Sequence, residues 1–122
     1  MYLDHIIKIS ETDLASRRSA AALRSELESR LSSTPVVLDL AKVIGISESY
    51  ADELFGVLVR DLGIEQVLDR LHIRNAQSQV LRSIVHAIRQ RLEASRERKV
   101  IDLALLTARK ALSERVGGGS GR

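Results

Sequence analysis

The stretch Val36-Val37-Leu38-Asp39-Leu40-Ala41-Lys42-Val43-Ile44-Gly45-Ile46-Ser47-Glu48-Ser49-Tyr50-Ala51-Asp52-Glu53-Leu54-Phe55-Gly56 decides how this chain folds. Its first five residues are mostly apolar and do not alternate. That is the pattern of a strand covered on both faces, as at the centre of a parallel or mixed sheet flanked by helices. A loop follows, and then Ser47 or Ser49 caps a helix whose apolar face is Ala51, Leu54, Phe55, Leu58 and Leu62 and which Gly63 stops. A strand that runs into a serine-capped helix sets backbone N–H donors and the positive end of the helix dipole beside small hydroxyls, a setting that favours anions such as phosphoserine. Gly56 is out of place inside that helix, where glycine costs about 1 kcal/mol relative to alanine. Its presence there predicts the close approach of another element.

Upstream, His5 to Ser10 reads as a first strand and Glu11-Thr12-Asp13 as a polar turn. From about Leu14 to Leu31 apolar residues recur at helical spacing, with Ala20, Leu23, Leu27 and Leu31 in one stripe, and Ser32-Ser33-Thr34-Pro35 ends the helix. Strand, helix and strand make a βαβ unit. Downstream, Val67 to Arg74 is a third β-leaning stretch, best placed at Leu71-His72-Ile73, and Asn75-Ala76-Gln77-Ser78 opens a third helix with Leu81, Ile84, Val85, Ile88 and Leu92 as its expected buried stripe. A charged hinge, Glu93 to Lys99, is expected before a last helix from Val100 to Val116, apolar around well over half its circumference.

The resulting expectation is an α/β fold, a small mixed or parallel sheet of three to four strands with helices packed on it, plus a C-terminal helix. The expected domains are residues 1–92, a helical extension at 93–116, and a flexible glycine-rich tail at 117–122. At 122 residues the chain makes one core, not two.

Composition narrows the function classes. Aromatic residues are only 2%, too few for the stacking platforms on which single-stranded nucleic acids are read. With no cysteine, disulfides and thiolate metal or redox sites are excluded. No stretch has the roughly 20 apolar residues of a membrane span, and no secretory leader is visible, so a soluble cytoplasmic protein without membrane partners is expected. The net charge of +3 is unevenly placed. Residues 89–122 hold nine Lys/Arg against four Asp/Glu, while residues 1–88 hold ten against twelve.

Three blocks resemble the STAS domain (sulphate transporter and anti-sigma factor antagonist), and more closely its STAS-like bacterial relatives. They are the Arg-bearing start of the first helix (Ser16-Arg17-Arg18), the Ile46-Ser47-Glu48-Ser49-Tyr50-Ala51-Asp52-Glu53-Leu54 segment, and the strand ending in Asn75. The resemblance spans Ile6 to Arg91. It implies a STAS-like fold and a bacterial or phage regulatory setting, with a kinase-like ATPase or other signalling protein as partner. Setting Asp39-Leu40 on the family's Asp-Leu places Ser47 on the family's Asp and Ser49 on the serine that partner kinases phosphorylate. Tyr50 then stands where phosphorylated members carry glycine.

The site candidates follow. Ser47 and Ser49 are the candidate phosphosite or anion-binding residues, against the plainer reading of one as a helix cap. Ile46, Tyr50, Asp52 and Glu53 are the expected partner-binding residues, with partner-switching at the loop before the second helix. Ile101, Leu105, Leu106 and Leu112 are the expected oligomerisation residues, most simply of a homodimer. Asp39, ending a buried strand, is expected to accept hydrogen bonds from the following loop. No catalytic, metal or cofactor-binding residues are expected: His5, His72 and His86 are scattered, Asp52 and Glu53 project about 100° apart on a helix, and no nucleophile elbow or phosphate loop occurs. A non-enzymatic interaction module is the resulting reading. The alternative is a small nucleic-acid-binding regulator that uses Arg89, Arg91, Arg96, Arg98 and Lys99, although Glu93 and Glu97 interrupt that set.

Overall fold

A computed structural model of the protein describes the backbone of residues 5–120 and the side chains of residues 5–107. Contacts divide the chain into two compact units, Met1–Leu92 and Glu93–Arg122.

In the first unit, β1 (His5–Lys8) is followed by a two-residue strand β2 (Asp13–Leu14), helix α1 (Arg17–Leu31), β3 (Val36–Asp39) and a second two-residue strand β4 (Gly45–Ile46). One helical body then comprises α2 (Glu48–Ala51), a π turn (Asp52–Gly56) and α3 (Val57–Leu62); α4 (Ile64–Arg70), β5 (Leu71–Arg74) and α5 (Ser78–Ser120) complete the chain. The main sheet is parallel, in the order β1-β3-β5, with Val36 opposite His5 on one side and Leu71 on the other. β3 is therefore hydrogen-bonded along both edges, and all four of its residues are buried. This is the central, doubly covered strand that its unalternating sequence requires. β2 and β4 form a separate parallel pair.

Each helix boundary has a local cause. Ser16 caps α1 by accepting from Ser19 N–H, and Ala20, Leu27 and Leu31 are its buried residues. Gly63 adopts φ +87°, a left-handed conformation open to glycine, and so breaks α3 from α4. The core joins Leu27 and Leu31 to Val36, Leu38, Leu54, Phe55, Leu58, Val67, Val80 and Ile84.

Four expectations are corrected. The Glu11–Asp13 segment is not only a turn, because Asp13 opens β2 and pairs with Gly45. The residues before β5 form α4, whose Val67 faces the core. The start of α5 is buried through Val80, Ile84 and Ala87, whereas Leu81, Val85 and Leu92 are exposed. Two apolar stripes run along this helix at the same period, and the stripe with the smaller side chains is the one that meets the sheet-side core. The segment Glu93–Lys99 is helical, not a hinge. It contains no Gly or Pro, and its Glu and Arg residues have high helix propensity and mutually favourable spacing.

In the second unit α5 continues to Ser120 through Gly117–Gly119, its part of lowest intrinsic propensity. Gly121 and Arg122 lie outside the described residues. Among the described residues, no helix is long and apolar enough to cross a membrane.

Because Leu38 is fully buried in the central strand, Leu38→Ala should lower unfolding free energy by about 2–5 kcal/mol. Leu68→Ala, at a residue 66% exposed, should stay within about 0.5 kcal/mol. Urea midpoints at unchanged slope would show this. Comparable losses at both positions would contradict the burial of β3.

Candidate functional site

The loop between β3 and α2 is held from both ends. At its start, Asp39 is 8% exposed. Its Oδ1 accepts from Ala41 N–H at 3.0 Å and from Asn75 Nδ2 at 3.3 Å, and Arg74 lies 3.7 Å from Oδ2. The Ala41 amide, followed by the Asn75 amide and the nearby cations, holds this carboxyl below its ordinary range against the opposing effect of burial. Asn75 sits at φ +62°, a conformation that Asn tolerates. Further along, Ile44 N–H and Gly45 N–H both donate to Thr12 O, and Ser47 N–H donates to Leu14 O. A Cβ on Gly45 would stand 2.8 Å from Asp13 Oδ1, so a larger residue there would push that carboxylate aside.

Ser47 is the cap of α2. Its Oγ accepts from Tyr50 N–H at 3.1 Å, donates to Ala15 O at 3.1 Å and lies 3.2 Å from Ser49 Oγ. That last contact is the only side-chain hydrogen bond Ser49 makes among the described residues. Both serines are half-buried and Glu48 is exposed.

The expected partner-binding residues are not brought together as a surface. Tyr50 is 3% exposed and belongs to the core; burial, with Glu11 adding to it, raises its phenol pKa. Ile46 is half-buried against the same core. The physical reason is that Ser47 caps the helix, and from that cap Tyr50 lies on the apolar stripe with Leu54.

Asp52 and Glu53 are likewise occupied internally. Arg91 of α5 donates to both Asp52 oxygens, from Nε at 2.7 Å and from Nη2 at 2.9 Å. This bidentate pair lies over Gly56, where a Cβ would stand 2.5 Å from Asp52 Oδ1 and 2.8 Å from Arg91 Cγ. The mid-helix glycine is thus explained by the approach of another helix. The Arg91 hydrogen bond is the main cause that lowers the Asp52 pKa, with burial opposing it. On the other side of the turn, Arg24 Nη1 donates to Glu53 O at 2.6 Å and to Glu53 Oε2 at 2.9 Å. In the π turn Val57 N–H reaches back five residues to Asp52 O, and the wider turn opens the Glu53 carbonyl to a side-chain donor.

A family model described as a STAS-like domain of unknown function (DUF4325) matches residues 19–81. The chain belongs to this STAS-like family. No curated protein and no solved structure matches it. The STAS-like match covers α1 from Ser19 onward, β3, the loop, the whole α2–α3 body, α4, β5 and the first turn of α5, so both candidate serines lie inside it.

Sequence reasoning missed the most open side of this STAS-like domain. Gln79 Nε2 donates to Ile44 O at 2.7 Å, tying the loop to α5. Beside that contact Ile44 is 52% exposed, and further round α5 Leu81 is 43% and Val85 37% exposed. Three shallow concavities adjoin there, the largest about 590 Å³ and lined by Leu81, Arg82, Val85, His86 and Arg89. The others reach Glu48 and the Ile44–Ile46 loop. The second apolar stripe of α5 was the available signal. In the second unit, Ile101, Leu105 and Leu106 are 57%, 61% and 60% exposed, and Leu112 lies among the residues whose side chains are not described. Among the described residues no group of three or more His, Cys, Asp or Glu side chains is placed to hold a metal ion.

Two outcomes follow. Ser47→Ala should cost about 1 kcal/mol through the lost cap, whereas Ser49→Ala should stay within about 0.5 kcal/mol, as denaturation midpoints would show. The Asp52 carboxyl is depressed in the folded state, so its contribution to stability is complete above about pH 4 and is lost as pH falls through the native value. Asp39 and Asp61 shift in the same direction, so Asp52→Asn should make the acid-side decline shallower without removing it. An unchanged decline would show that the Arg91 pair contributes nothing.

Proposed function

We propose that this STAS-like domain is a non-enzymatic protein-interaction module whose recognition surface is the Ile44–Glu48 loop together with the exposed face of α5 from Ser78 to Gln90. The observation that carries the reading is the shallow concavity on α5 where the large apolar side chains of Leu81 and Val85 are left in water beside Arg82, His86 and Arg89. A contiguous apolar patch rimmed by polar groups is the usual mark of a protein-binding surface. The α2–α3 body is an unsuitable reader because Leu54 to Val59 are all buried. The cationic rim fits a partner with acidic groups around an apolar centre, and a signalling protein such as a kinase-like ATPase is the class that the STAS relationship suggests. Ser49, adjoining the loop, is the residue through which phosphorylation would switch that contact. The second unit adds association with a second copy through the exposed Ile101, Leu105 and Leu106.

The test is affinity capture by the full chain, by Leu81→Asp and by the control Leu68→Asp, with the captured proteins identified by mass and circular dichroism confirming the fold. A protein held by wild type and control but lost with Leu81→Asp is expected. Capture indifferent to Leu81→Asp would overturn the surface. Salt-sensitive retention of duplex DNA in place of a protein would favour the nucleic-acid regulator instead.

A further inference from the structure

Within the first unit, α5 carries a second apolar stripe beside the one that enters the core. Leu81, Val85, Ile88 and Leu92 follow one another at spacings of four, three and four, which sets them within about 60° of one another around the helix. Leu81, Val85 and Leu92 are exposed, and Ile88 is half-buried at the margin of the core. On one flank of this stripe lie the buried Val80, Ile84 and Ala87. On the other lie Arg82 and Arg89, seven residues apart and both exposed. Among the described residues neither arginine makes an ion pair, unlike Arg91 of the same helix. The segment from Ser78 to Leu92 contains no Asp or Glu. Glu48 adjoins Arg82 and His86 in the neighbouring concavity but pairs with neither. An apolar seam of alternating four and three is what one helix presents to another, and charges at its edge decide which helix is accepted.

We propose that the α5 seam from Leu81 to Leu92 receives a single amphipathic helix of another protein, with acidic side chains seven residues apart along the edge that faces Arg82 and Arg89. The proposal rests on the loop–α5 reading above and names the form of the partner. The apolar stripe of that helix covers Leu81, Val85 and Leu92, and its acids supply the carboxylates that this domain does not set against the two arginines. A second copy of this chain does not fit the seam. It would offer Arg82 and Arg89 only its own acid-free segment, and like charges across an interface select against such a pair. A nucleic acid would engage the arginines but leave the three exposed apolar side chains in water.

The probes are two fluorescent synthetic helical peptides with leucine at the seam positions, one with Glu and the other with Lys at every edge position. Each is titrated with the full chain at low salt and followed by anisotropy. The Glu-edged peptide should bind, and the Lys-edged peptide should bind at least about tenfold more weakly. Arg82→Glu together with Arg89→Glu should reverse that preference. Leu81→Asp should abolish binding and Leu68→Asp should leave it unchanged, with circular dichroism confirming that each variant is folded. Equal binding of the two peptides, or a preference that survives the double charge reversal, would overturn the acidic edge. Binding of neither peptide, while capture of a protein is still lost with Leu81→Asp, would overturn the helical partner and leave the interaction surface standing. Failure of both experiments would overturn the surface itself. Adsorption to phosphatidylserine vesicles with neither peptide bound would replace the helix by an anionic lipid surface and so overturn the proposal.

Discussion

Strand β3 is hydrogen-bonded on both edges and buried along its length, so it can end in a polar residue only if that residue is fully compensated. Asp39 is that residue. Its carboxylate takes the Ala41 amide and the Asn75 side chain, while its carbonyl accepts from Ile9 N–H and Leu40 N–H bonds Arg74 O. The C-terminal ends of all three strands are therefore bound at one point. From there the chain has little choice of direction, because the next backbone donors are taken by Thr12 O and Leu14 O. The short β2–β4 ladder is the continuation of that constraint, and it delivers Ser47 to the start of α2.

The π turn plays the corresponding part on the helical side. By widening one turn it frees the Glu53 carbonyl for Arg24 of α1, and it sets Asp52 where Arg91 of α5 can clasp it in two bonds. Two charged residues on adjacent positions thus fasten two different helices to the same turn. The glycine at 56 costs intrinsic helix stability, but any larger residue would displace the Asp52–Arg91 pair. A bidentate, half-buried guanidinium–carboxylate contact is the stronger kind of ion pair, which is why the compromise at Gly56 is tolerable.

Where a single physical signal acted alone, the sequence was legible. Val36–Asp39 as a central strand, the Leu27 and Leu31 stripe, the stop at Gly63, the role of Asp39 and the approach at Gly56 all follow from residues whose alternatives were poor. Legibility failed where two signals competed. α5 has two apolar stripes of equal period, and nothing local says that Val80, Ile84 and Ala87 go in while Leu81 and Val85 stay out. The two-residue strands β2 and β4 are too short to show periodicity, and the π turn is invisible to a 3.6-residue reading. Tyr50, expected on a partner-binding surface, lies in the core. Assigning the cap to Ser47 alone, rather than to either serine, would have placed it in the core.

That assignment also orders the two serines as sites of control. The Ser47 hydroxyl accepts from the helix and donates to Ala15 O, so a phosphate there would remove the donor that ties α2 to the chain before α1 and would crowd the cap. Among the described residues the Ser49 side chain bonds only Ser47, and it stands in the first turn of a helix whose positive end favours an added anion. Tyr50, its bulky neighbour, is withdrawn into the core and would not meet an approaching kinase. If the loop is a switch, Ser49 is the position at which added charge changes the surface next to Glu48 while leaving the Ser47 cap intact.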